Sequence, residues 1–286
     1  MISRSIRNRL QWLRWRARRG QVWLRRRHLG GPVLFANSFP KSGTHLLTQV
    51  LAGFTRLGPV VPSGLPAITM YDGFTGLARP MAQVIHETSR YLPGDIGYGH
   101  LHAEPEIINL LCREGVAPFF IYRDPRDVVV SHVHYITEIE TDHIHHDYYA
   151  NQLGSFEERL TASILGRPDL ADIPFPGIAA RFAPFLPWLS RPEVLNLQFE
   201  AFIQDKHAVL GKIFDHAVNR GFEHRGDREA AVAALAAAID PHKSPTFRSG
   251  KAGGWKERFL PEHKAMFKEQ AGTMLIQLGY EKDMEW

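Results

Sequence analysis

The chain has 286 residues, 44% hydrophobic and 22% charged, a globular composition rather than a disordered one. Its single cysteine, Cys112, excludes an internal disulfide framework and a cysteine-based zinc cluster, and no apolar run reaches the roughly 18–20 residues that would span a bilayer. The net charge of +4 is uneven: the first acidic residue is Asp72, so residues 1–71 carry +12 and the remainder sums to −8.

Ten arginines fall in residues 1–28, where Ile2, Ile6, Leu10, Leu13, Ala17 and Leu24 recur at helical spacing and Trp12, Trp15 and Trp23 are interleaved. This basic amphipathic segment (residues 1–30) suits peripheral contact with an anionic membrane. Packing on its own domain is the competing reading, and nucleic acid is not expected as a partner. With no uninterrupted apolar stretch at the N-terminus, no secretory signal is expected. A cytoplasmic location, membrane-peripheral if the segment acts so, is the expectation. Residues 31–286 are expected to form one domain.

Residues 33–37 form a short apolar run typical of a buried strand, followed by the polar loop SFPKSG and a helical pattern over 44–54. Residues 55–95, rich in Gly and Pro, read as a long loop or lid. A strand is predicted at 96–101. Residues 104–114 read as a helix with proline first and Gly115 after it. The run 117–122 is the clearest buried strand, and 124–135 begins a helix with Asp at its cap and Pro in its first turn. A histidine-rich stretch (141–149) leads into a mixed region reaching about 192. A strand over 193–198, helices over 200–220 and 227–239, a glycine-rich basic loop over 244–259 and a last helix over 261–278 complete the chain. This alternation predicts an α/β fold: an open, mainly parallel β-sheet flanked by helices, with a P-loop-like nucleotide-binding topology.

The loop Pro40-Lys41-Ser42-Gly43-Thr44-His45 joins a strand to a helix start, where free backbone N–H groups and the helix dipole favour an anion. Gly43 permits close approach of an oxyanion, Ser42 and Thr44 offer hydroxyls, and Lys41 adds a full charge. The lysine precedes the glycine, so the GxxxxGK[ST] spacing of an ATP-binding P-loop is absent. Arg123 stands at the carboxyl end of the next long strand, where open α/β sheets bind ligands, with Ser131 eight residues on; together they suit a second phosphate. Asp124 and Asp127 read as helix-start acids and partners of basic neighbours. Arg248-Ser249-Gly250-Lys251-Ala252-Gly253-Gly254-Trp255-Lys256 makes a flexible basic strap.

These three elements, in this order and at these separations, resemble the nucleotide-dependent sulfotransferases of the cytosolic type. The family's 5′-phosphosulfate loop reads like PKSGTTW, matched by Pro40–Thr44. Its 3′-phosphate motif is matched by Arg123 and Ser131, and its RKGxxGDWK strap by residues 248–256. The resemblance spans residues 33–280 and implies 3′-phosphoadenosine 5′-phosphosulfate (PAPS) as co-substrate, a hydroxyl or amine acceptor and no metal. It implies that Lys41, Ser42, Gly43, Thr44 and His45 cradle the phosphosulfate, with Lys41 stabilising the leaving group. Arg123, Ser131, Arg248, Ser249 and Gly250 would hold the 3′-phosphate. The family's general base follows a strand in a Lys-Thr-His-Leu-Pro-like stretch; His100 is the match, with His102 in reserve. Leu46 replaces the family's adenine-packing tryptophan, leaving Phe247 or another apolar group to take that duty, and Phe199 stands where a tyrosine is frequent. Ser249 and Gly254 replace a lysine and an aspartate of the strap.

The acceptor is left open among a hydroxylated small molecule, a glycan and a glycolipid. His132, His134, His143, His145 and His146, with Asp142 and Asp147, have spacings that could hold a metal, but a solvated loop on the acceptor side is the expected reading. The alternatives to a sulfotransferase are an ATP-dependent small-molecule kinase with a variant P-loop and a non-catalytic protein docking on membrane or nucleic acid.

Overall fold

A computed structural model describes residues 31–73, 75–167, 175–240 and 252–286, with Leu13, Ala17 and His242 besides. The basic amphipathic segment over 1–30, Leu13 and Ala17 apart, and strap residues Phe247, Arg248, Ser249, Gly250 and Lys251 therefore lie outside the described residues. Strand β1 (Val33–Ser38) is buried throughout, because its alternate side chains serve two cores. Val33 and Phe35 join the cluster on one face of the sheet, Leu34 and Ala36 that on the other. Each large side chain so buried contributes about 1.5–3 kcal/mol. A double-sided burial of this kind is what a parallel sheet covered on both faces requires.

Helix α1 (Thr44–Gly53) follows β1 directly and turns Leu47, Val50 and Leu51 inward. The stretch expected to be a long loop instead contains two-residue strands β2 (Val61–Pro62) and β3 (Ile68–Thr69) and helix α2 (Met81–Ser89). Pro80 caps α2, which buries Val84 and Thr88 one turn apart, too few apolar positions to register as a periodic run. Then come β4 (Asp95–His100), α3 (Pro105–Leu111), β5 (Val116–Tyr122) and α4 (Pro125–His134). The expected mixed region holds α5 (Phe156–Leu165), the short pair β6 (Gly166–Arg167) and β7 (Phe175–Pro176), and α6 (Ile178–Phe182). Strand β8 (Leu195–Gln198) precedes α7 (Phe199–Gln204), α8 (Lys206–Asn219), α9 (Arg228–Ala236) and α10 (Pro261–Gln277).

Among the described residues the main sheet is six-stranded, in the order β2-β4-β1-β5-β8 with β3 also on β4, and its pairings are parallel. Asn37 is opposite Gly99 and Ser38 is opposite Ile121. The carboxyl ends of β4, β1 and β5 therefore lie side by side, and the chain segments leaving them share one edge. Asn37 clamps that edge: its Nδ2 donates to the Leu101 carbonyl at 2.9 Å and its Oδ1 accepts from the Leu101 N–H at 2.8 Å.

Candidate active site

At this edge a cavity of about 840 Å³ opens, and Lys41, Gly43, Thr44, His45, His100, His102, Arg123, Ser131 and Phe199 all line it. Nine expected residues from four separated stretches thus line one cavity. Guanidinium and ammonium belong to the same cavity lining, near enough for Arg123 to depress the proton affinity of Lys41.

The loop after β1 is shaped by two left-handed residues. Gly43 caps α1 at φ +102, and a Cβ there would come within 2.7 Å of the Phe199 ring, so the position demands glycine twice over. Lys41 adopts φ +68 without being glycine, a conformation costing about 1–2 kcal/mol. Ser42 departs from expectation. Its side chain is wholly buried and off the cavity lining, its hydroxyl has no partner among the described residues, and its N–H donates to the Phe39 carbonyl to close the turn. The local turn points residue 42 inward while residues 41 and 43 face the cavity.

The Thr44 hydroxyl lies 2.7 Å from that of Ser38, which lies 3.1 Å from Nδ1 of His100. The same Nδ1 stands 3.0 Å from the Ser38 carbonyl. A carbonyl only accepts, so Nδ1 carries the proton and Nε2 keeps its lone pair. Burial, with His45 and Lys41 nearby, lowers the pKa of His100, against an opposing effect of the Ser38 hydrogen bond. The imidazole is thus neutral near pH 7 and able to take a proton. His102 is buried between the Tyr71 and Phe185 rings and held down to about 4 by desolvation. Ser38 was missed by sequence reasoning; only the pairing of β1 with β4 brings it to His100.

Burial first, then Arg123, brings Lys41 down to about 8. Burial and Lys41 lower His45 likewise. Clustered cations that depress one another's proton affinity make a site that gains when an anion enters. Arg123 stacks 4.7 Å over the Phe199 ring and reaches Asp127 at 3.3 Å. Asp127, 2% exposed, also accepts the N–H groups of Gly253 and Trp255 at 2.8 and 2.9 Å. It therefore ties the end of the basic strap to the helix carrying Ser131, a task that helix-start position alone does not disclose. Nearby, Arg126 pairs with Asp124 and Glu281 and lies under Trp255 and Trp286.

The histidine-rich stretch is not the solvated loop expected. His132, His143 and His145 line the cavity, with His143 and His145 both held near 4 by burial. The rings turn to different partners: His132 to the Ser163 hydroxyl, His134 to Glu138 and His146 to the Ile136 carbonyl. Among the described residues no group of three or more His, Cys, Asp or Glu gathers where a metal ion would be held. Neutral imidazoles and the rings of Tyr71, Tyr135, Phe175 and Phe185 thus line the same cavity. No helix among the described residues is long and apolar enough to cross a membrane.

No family model matches the sequence, and no curated protein matches it. Solved structures do. Mouse sulfotransferase SULT7A1 complexed with PAP is similar over 88% of this chain and 87% of its own, at 17% identity and a TM-score of 0.56. Retinol dehydratase in complex with retinol and PAP is similar over 86% of this chain and 82% of its own, at 18% identity and 0.56. The same enzyme with androsterone and PAP gives 85% and 80%, 18% and 0.55. The likeness establishes the fold: this chain has the α/β architecture, a mainly parallel sheet flanked by helices, of these nucleotide-binding proteins.

Proposed function

We propose that the chain is a sulfotransferase that moves the sulfuryl group of PAPS to a hydroxylated small-molecule acceptor. The carrying observation is that Lys41, Arg123 and His100 line one cavity, with Lys41 following the strand next to that of His100 and Arg123 the strand beyond it. A donor with phosphates on both the 3′ and the 5′ oxygen of its ribose needs two anion sites at neighbouring strand exits, and the Lys41 loop and the Arg123–Ser131 pair supply them. The residues fit: Gly43 lets the loop turn into the helix start beneath the Phe199 ring, and the cationic wall becomes more favourable once negative charge enters.

In this reading His100 Nε2 takes the acceptor's hydroxyl proton as that oxygen bonds to sulfur. The bond from sulfur to the phosphate oxygen breaks, and the charge left on that oxygen is met by Lys41 and the loop's N–H groups. The two retinol dehydratase structures hold retinol or androsterone with PAP; both are small hydroxylated molecules, which supports an acceptor of that size against the aromatic part of the cavity lining. Titration calorimetry with adenosine 3′,5′-bisphosphate and with ATP tests the proposal: the bisphosphate binds tightly and ATP weakly. A preference for ATP overturns it.

A further inference from the structure

Lys41 and Arg123, two cations of the cavity, have their charges met differently. Arg123 has the Asp127 carboxylate, whereas no carboxylate pairs with Lys41 among the described residues. Its ammonium sits 3.8 Å from the centroid of the Tyr135 ring instead. Tyr135 occupies the point where α4 gives way to a single π-helical stretch, Tyr135–Ile139. Such widened turns are frequent at functional sites because they re-aim one side chain. The ring is fixed from a further direction, where the His143 ring packs on it edge-on, and burial with the nearby Glu140 carboxylate raises the pKa of its hydroxyl. Left-handed backbone at Lys41 supplies the other half of the contact.

We propose that Tyr135 is a positioning residue for Lys41: its π face holds the buried ammonium at the boundary between the donor and acceptor ends of the cavity and keeps it charged there. This rests on the reading of Lys41 as the leaving-group cation. The groups facing Lys41 are Arg123 from β5, His45 from α1, His100 from β4, and His132 and Tyr135 from the α4 end. All but Tyr135 oppose its charge when protonated. The ring is what offsets them, because its quadrupole attracts a cation without adding an anion that would repel the donor. A carboxylate in its place would hold the lysine as firmly and exclude the phosphosulfate.

The test compares Tyr135→Phe with Tyr135→Leu in the full chain, and measures by mass spectrometry how fast Lys41 is acetylated by acetic anhydride as pH is varied. The readout needs no turnover, so it stands or falls apart from the sulfotransferase reading, which nucleotide calorimetry on the unaltered protein decides. The phenylalanine variant keeps the wild-type profile. Loss of the ring moves the pH at which Lys41 becomes reactive down by about half to one and a half pH units. If Tyr135→Leu does not fold, Tyr135→Met replaces it. Coincident profiles for the wild type and the ring-free variant overturn the proposal.

Discussion

The Ser38 carbonyl lies 3.0 Å from His100 Nδ1, across the seam between β1 and β4. That contact fixes which nitrogen of the ring is free, and it does so with backbone, which no substitution at residue 38 removes. Replacing His100 with alanine is therefore expected to lower turnover by two or more orders of magnitude while Kd for adenosine 3′,5′-bisphosphate stays within a few-fold. Ser38→Ala, which loses the 3.1 Å hydroxyl contact to His100 and the 2.7 Å contact to Thr44 but keeps the carbonyl, is expected to cost much less. Steady-state kinetics and calorimetry on both variants check this; equal losses would place the proton acceptor elsewhere.

The pH profile follows from the same environments. His100 must be unprotonated, and its pKa is lowered from 6.5, so the acidic limb of kcat/KM lies below pH 6.5. Lys41 must be charged, and in the free protein it loses its proton at about 8, so the alkaline limb falls there. A bound polyanion favours the ammonium and moves that limb upward in kcat relative to kcat/KM. Rates measured from pH 5 to 10 with donor subsaturating and saturating compare the two limbs.

Lys41 also carries a stability cost. Its pKa is lower folded than unfolded, so between about 8 and 10.5 the folded chain binds fewer protons and stability rises with pH. Below about 8 the penalty is present in full. Lys41→Met is therefore expected to raise the Tm of the ligand-free protein by a few degrees at pH 7, with the gain shrinking through pH 8–10.5. The same variant loses the added stability that adenosine 3′,5′-bisphosphate confers on the wild type. Thermal denaturation with and without the nucleotide reads both effects, and a destabilised ligand-free variant would contradict the cost.

Much of this was legible in the residues, for identifiable reasons. The runs at 33–37 and 117–122 announce strands because both faces are buried, and proline-first, glycine-last punctuation announces α3. The placement of Lys41, Gly43, Arg123, Ser131 and His100 around one cavity follows from strand–loop–helix order. Helix α2 stayed hidden behind its two buried positions, whereas α5 carried a readable signal in the Ser155–Glu158 capping box. Ser42 was misread because hydroxyl chemistry says nothing about which way a turn points a side chain. The roles of Ser38, Tyr135 and Asp127 depend on partners brought by tertiary pairing, 62 residues away for Ser38 and His100 and 126 for Asp127 and Gly253. No local pattern encodes such a contact.

Gly43 offers a sharp steric test. A methyl group there would lie 2.7 Å from the Phe199 ring and 3.2 Å from Ile121, on a backbone at φ +102 that disfavours any side chain. Phe199 cannot yield freely, since the Arg123 guanidinium stacks on it. Gly43→Ala is expected to displace ring and guanidinium together and to weaken adenosine 3′,5′-bisphosphate binding at least tenfold. Adding Phe199→Ala relieves the clash but not the backbone strain, so the double variant recovers only part of the affinity. Full recovery would mean that the backbone conformation is unimportant.

Asp127 concentrates three contacts on one buried carboxylate: the Gly253 and Trp255 N–H groups and the Arg123 guanidinium. Asn has one acceptor oxygen and an NH2 group, so Asp127→Asn leaves a donor facing a donor, at a cost of about 1–3 kcal/mol for each unmatched group. Tm is expected to fall by several degrees. The more informative consequence concerns the nucleotide. Arg123 loses its orienting anion and the strap's end its tether in the same substitution, so Kd for adenosine 3′,5′-bisphosphate should rise at least tenfold even well below the new Tm. Arg126→Lys serves as a comparison, because it disturbs the neighbouring pairs with Asp124 and Glu281 without touching Arg123 or Gly253. If the two variants lose stability alike and only Asp127→Asn loses nucleotide affinity, the carboxylate acts on the anion site and not merely on the fold. Unaltered affinity in Asp127→Asn would confine its role to packing.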